Sequence, residues 1–98
     1  MIYKVTQIAD NAFENNKKIT KVTISSKVKK IGKQAFYGCK KLKSITIKTT
    51  KLNSKNVGSK AFKGIYAKAT IKVPKSKVKV YKNLLKAKGC GSKVTISK

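Results

Sequence analysis

The chain has 98 residues, 40% of them hydrophobic, which suits one domain with a thin core and is too apolar for a disordered tail. Its 26 basic residues are all Lys, opposed by Asp10 and Glu14 alone, so the formal net charge is +24; His, Arg and Trp are absent. That inventory leaves acid–base, nucleophile–base and metal-dependent catalysis little to build on, and no apolar run approaches a membrane span.

In chain order, the first stretch carries Ile2, Tyr3, Val5 and Ile8, and Val5 and Ile8 match Val28 and Ile31 further on. The pattern is therefore entered in the middle of a unit, and further units are expected before Met1. Asp10 or Asn11 is placed to cap a short helix turn running through Phe13 and Glu14, with the carboxylates near its positive end. Asn15 follows Phe13 by two residues, and Gly38 and Gly64 stand at the matching places. Asn and Gly tolerate the left-handed conformation best, so one helix stop is expected in all three units.

The stretch Ile31 to Ile47, IGKQAFYGCKKLKSITI, shows the whole unit. Ile31, Ala35, Phe36, Cys39 and Leu42 fall at helical spacing, whereas Ile45 and Ile47 alternate with Ser44 and Thr46 as in a half-buried strand. A change of period within so few residues describes a supersecondary unit that needs neighbours. Ile8, Ala12, Phe13, Ile19, Val22 and Ile24 repeat the pattern 23 residues earlier; Val57, Ala61, Phe62, Ile71 and Val73 repeat it 26 later, with Lys68 in the place of Leu42. Such a period is the signature of a solenoid.

Parallel strands are predicted at Lys21 to Ser25, Ser44 to Lys48, Thr70 to Pro74 and Lys93 to Ser97, with Val94 23 residues beyond Ile71. Thr23, Thr46, Lys72 and Thr95 then point outward, flanked by Lys21, Ser44, Thr70 and Lys93. The stretch Lys48 to Val57 is three residues longer than its counterpart and reads as a bulged loop. After Pro74, Ser76 is a candidate N-cap for a longer amphipathic helix through Val78, Val80, Tyr81, Leu84, Leu85 and Ala87, stopped by Gly89. A helix of that kind closes the end of a repeat stack.

The unit I-G-x-x-A-F-x-G-C-x-x-L-x-x-I-x-I, matched at Ile31, Gly32, Ala35, Phe36, Gly38, Cys39, Leu42, Ile45 and Ile47, resembles the BspA-type leucine-rich repeat. The match is partial in the first unit, where Ala9 and Asn16 replace the glycine and the cysteine, and in the third, where Ile65 and Lys68 replace the cysteine and the leucine. The segment VPKSKVKVYKNLLKAKG resembles the C-terminal end of such arrays. The resemblance implies an α/β fold, a right-handed leucine-rich-repeat solenoid with a short parallel sheet and a C-terminal capping helix. On this reading residues 1–98 form one domain with coils at about 1–24, 25–47, 48–73 and 74–98, part of a longer protein. It also implies an extracellular or cell-surface location, with the signal peptide not in this chain, and a role in adhesion or binding.

Cys39 occupies an inward position, while the 23-residue step puts Cys90 level with Lys41, in a turn two coils away. Both are expected to be free thiols, Cys90 the accessible one, without metal-ligand spacing. Asp10 and Glu14 are read as capping acids, and no cofactor site is predicted. The repeat sets Lys17 level with Lys40 and Lys18 level with Lys41. At roughly 5 Å in water each such pair costs about 0.8 kcal/mol before screening. An anionic partner removes that repulsion; biased composition, with solubility as its by-product, explains it equally well. The expected ligand surface is the outward sheet face of Lys21, Thr23, Ser44, Thr46, Thr70, Lys72, Lys93 and Thr95. Its expected partners are an anionic cell-envelope polymer, an acidic glycan or a host protein. Non-specific nucleic-acid binding is the alternative, although Arg is absent and Phe13, Phe36 and Phe62 are committed to the core. A structural spacer is a third reading, and weak end-to-end self-association is expected of an open first coil.

Overall fold

A computed structural model describes residues 7–98; the expected places of Ile2, Tyr3 and Val5 lie outside them. The β-branched, alternating segments form strands, as their period requires. In chain order these are β1 (Gln7–Ile8), β2 (Lys21–Ile24), β3 (Lys30–Ile31), β4 (Ser44–Ile47) and β5 (Thr70–Lys72), then helix α1 (Val78–Ala87) and β6 (Thr95–Ser97). All pairings are parallel. The main sheet has the order β2-β4-β5-β6, and β1 pairs with β3, whose Ile31 bridges on to Val57. This is an α/β repeat fold in which consecutive units lie side by side.

The register carries a correction. Lys21 pairs with Ser44, Ser44 with Thr70 and Thr70 with Thr95, in steps of 23, 26 and 25 residues. The final step is therefore two residues longer than the sequence reading supposed, and Ile96, not Val94, stands opposite Ile71. One spacing stays constant through all four units. Asn15, Gly38, Gly64 and Gly89 all have positive φ (58°, 74°, 84° and 108°), and each lies six residues before the first residue of its strand. The expected left-handed stops are in place, and Gly89 belongs to the same column.

The short helix turns expected in the first three units are not helices. Asn11, Gln34 and Lys60, four residues before each stop, also have positive φ, which no right-handed helix accommodates. Backbone N–H groups alternate instead. Those of Ala12, Glu14 and Asn16 bond three residues back in their own unit, while those of Asn11, Phe13 and Asn15 bond to Lys33, Ala35 and Tyr37 carbonyls of the next. Gln34, Phe36 and Gly38 repeat this toward Ser59, Ala61 and Lys63. Asp10 does not cap a helix; its Oδ1 accepts the Lys33 N–H at 2.8 Å, across the same gap.

Between these ladders and the sheet lies the core. Phe13, Phe36 and Phe62 stack with centroids 5.4 Å apart at both steps and interplanar angles of 6° and 16°, as the repeat predicts. Phe36 and Phe62 are fully buried, Phe13 half-buried. The helix α1 buries Tyr81, Leu84 and Leu85 but leaves Val80 54% exposed, contrary to its place in the expected apolar face. Ser76 is not the N-cap; it lies in a 3-10 turn (Lys75–Lys77), and Lys77 takes the cap position without a side-chain bond. The longer loop after β4 receives this helix. The Tyr81 hydroxyl donates to the Thr49 carbonyl at 2.8 Å and accepts the Leu52 N–H at 3.3 Å. Buried Thr49 in turn donates to the Val28 carbonyl at 2.7 Å.

Two measurements check this packing. Phe36→Ala removes the middle ring of the stack and should cost about 3–5 kcal/mol in chemical denaturation; a loss below about 1 kcal/mol contradicts the stack. Tyr81→Phe strands a buried carbonyl and a buried N–H, and should cost about 1–3 kcal/mol. An unchanged denaturation midpoint would show that the loop does not hold the helix.

Candidate functional site

Strand alternation turns Val22, Ile45, Ile71 and Ile96 toward the core and leaves two outward rows. One row is Lys21, Ser44, Thr70 and Thr95; the other is Thr23, Thr46, Lys72 and Ser97. Seven of the eight expected site residues thus share the sheet face. Thr95, expected level with Lys72, stands level with Thr70 instead. Lys93 lies in the turn before β6 and is not on the sheet. Ser97, which takes the place assigned to Thr95, was missed because the last unit was aligned two residues short. The Gly38-Cys39, Gly64-Ile65 and Gly89-Cys90 pairs carry the signal that would have found it.

With strands about 4.8 Å apart and alternate residues about 6.7 Å apart, the face covers roughly 14 by 7 Å. It offers six hydroxyls and two ammonium groups, and no carboxylate. Each hydroxyl both donates and accepts, and each ammonium donates three times. The array therefore suits a ligand rich in hydroxyl and acidic groups.

The two carboxylates are spent on structure. The Asn11 amide donates to both Glu14 carboxylate oxygens at 3.1 Å and to Gln34 Oε1 at 3.3 Å. With Asp10 bound to the Lys33 N–H, both acids serve the ladder between the first two units. Among the described residues, no group of three potential ligands converges on a metal position, and no helix is long and apolar enough to cross a membrane. A recess of about 450 Å³ at the outer side of the first unit is lined by Ile8, Phe13, Ile19, Val22, Ile24 and Val28 with a few hydroxyls and lysines.

Both cysteines are free, but the expected exposure of Cys90 is wrong. The 25-residue step places it level with Ile65 and Cys39, at an inward position, and it is only 8% exposed. Burial pushes its thiol up to about 12. Cys39 is fully buried, its Sγ donating to the Phe13 carbonyl at 3.0 Å. Burial raises its pKa too, against a smaller opposing effect of the Asn16 backbone N–H.

Comparison with known proteins gives one match. The family model for the BspA type leucine-rich repeat region (6 copies) matches residues 3–98. No curated protein and no solved structure matches the chain.

The cysteine placement predicts that neither thiol reacts with a thiol-specific dye in the native protein at pH 8, and that both react after unfolding. Rapid native labelling of Cys90 contradicts its inward position. A buried neutral thiol favours the folded state below its unfolded value near 9, and that advantage is lost as pH rises toward 12. Stability should fall between pH 9 and 12, and Cys90→Ala should flatten the fall.

Proposed function

Because the chain belongs to the BspA-type leucine-rich-repeat family, we propose that it is a non-catalytic binding module of a bacterial surface or secreted protein. On this reading residues 1–98 form one right-handed solenoid of four coils, and its ligand is an acidic polysaccharide held on the outward sheet face. The in-register parallel order β2-β4-β5-β6 supports the solenoid. The observation that carries the binding reading is the pair of hydroxyl rows, with Lys21 and Lys72 at separated points and no acid between them. Sugar hydroxyls match the Thr and Ser rows, and the acidic groups match the two ammonium charges.

A nucleic-acid reading draws on the +24 charge and on no shaped surface. Charge of that size attracts any polyanion, so position is the test. Titration with a polyuronate is to be compared for the double variant Lys21→Gln/Lys72→Gln and for Lys27→Gln/Lys55→Gln, which removes the same charge elsewhere. The sheet-face pair should weaken binding about tenfold, at roughly 1.4 kcal/mol per factor of ten, and the other pair no more than twofold. Thr46→Val, which removes a central hydroxyl without altering charge, should also weaken it. Equal losses for both pairs would sink the sheet-face site.

A further inference from the structure

The sheet face carries two of the lysines; a denser alignment lies beside it. Each left-handed stop lies six residues before its strand, and this arc runs along one edge of the sheet in every unit. Lys17 and Lys40 each stand four residues before their strands, and Lys18 and Lys41 three before. At the strand end of the arcs the backbone keeps the same order: the Ser44 N–H bonds the Thr20 carbonyl, and the Thr70 N–H bonds the Lys43 carbonyl. Lys68 and Lys93 continue the edge, each two residues before its strand. All these lysines are exposed, and no acid lies in the arcs. Both acids of the chain sit in the turn ladder, engaged there as described above.

Lysines thus stand level at the coil spacing of about 4.8 Å between the first two units, and a single lysine per unit, Lys68 and then Lys93, carries the positive edge on across the other two, roughly 14 Å in all. We infer that this ridge binds the backbone of a linear phosphodiester chain laid across the coils, a seat separate from the sheet face and independent of it. A phosphodiester chain carries one charge per link, 3.4 Å apart in a stacked strand and further apart when extended, so it can follow the coil spacing. Lysine meets it as a point charge. Base reading has no platform here. Tyr66, 38% exposed, is the one exposed aromatic ring among the described residues, and the Lys43 ammonium sits over its face at 5.4 Å. The ridge therefore takes the charged backbone and ignores what hangs from it.

The test uses two sources of the same chemistry, a glycerol-phosphate polymer and single-stranded DNA of equal charge number, with a polyuronate as the third arm. The variant Lys17→Gln/Lys18→Gln/Lys40→Gln/Lys41→Gln is compared with Lys27→Gln/Lys29→Gln/Lys51→Gln/Lys55→Gln, folding being checked by circular dichroism. Each phosphate contact contributes about 0.7 to the salt slope of single-strand binding, so the ridge variant should lower the slope by about 2.8. The control should lower it by less than half as much. The two phosphodiester polymers should bind within threefold of each other. Equal slope losses in the two variants would reduce the ridge to general charge. A tenfold preference for DNA would show that bases are read and overturn the backbone assignment. A polyuronate weakened by the ridge variant as much as the phosphate polymers are would overturn the phosphodiester chemistry while leaving the sheet-face reading to its own variants.

Discussion

Everything in this fold depends on how closely successive units approach one another. Alternate N–H groups in each turn ladder must find carbonyls of the next unit, and a buried N–H left without one costs about 1–3 kcal/mol. The approach is close enough that a Cβ at Gly32 would fall on the backbone of Ala9 and Asp10, and one at Gly58 on the backbone of Gly32 and Lys33. Here the absence of a side chain sets the spacing. The parallel sheet then needs the same spacing, and the phenylalanine rings, set by both ladders, stack at 5.4 Å.

The last unit reaches the same end by other means. In place of a turn ladder it has the helix α1, and on that side of the core the link to the third unit narrows to the Phe62 N–H bonded to the Lys88 carbonyl, while the β5–β6 pairing continues on the other. What the ladder loses, the loop after β4 supplies. Tyr81 reaches across to Thr49 and Leu52, and the Lys88 ammonium donates to the Ser54 carbonyl at 2.9 Å. That longer loop is thus the seat of the helix, one unit earlier in the chain. Strand β6 keeps its register because Gly89 still makes the left-handed stop.

Much of this was legible in the residues themselves. The unit Ile31 to Ile47 shows both its strand and its inward positions, and the buried Phe36, Cys39, Leu42, Ile45 and Ile47 follow. Helical spacing at Ala35, Phe36 and Cys39 misled, since consecutive turns bury residues at the same intervals as a helix. Whether an N–H bonds within its unit or across to the next depends on neighbours, and local spacing does not report it. The last strand was misplaced because Val94 and Ile96 are equally apolar, and only the Gly-Cys pair before them separates the two registers. The outward rows were read correctly except at that end, where Lys93 proved to be a turn residue. The lysine ridge was half legible: the pairs at 17 and 40 and at 18 and 41 follow from the repeat. That Tyr66 is already covered by Lys43 does not.

The constant six-residue span and the variable remainder of each unit bear on how the chain finds its fold. Closing one coil onto the next brings together residues 23, 26 or 25 apart, and none of these steps waits for a distant partner. By the logarithmic dependence of loop-closure entropy on length, the extra three residues of the longest step cost only about 0.1 kcal/mol. Each closure thus presents nearly the same entropic barrier. The chain can assemble by zippering from whichever pair of neighbours meets first, with the Phe36 unit favoured as the seed because it can grow in both directions.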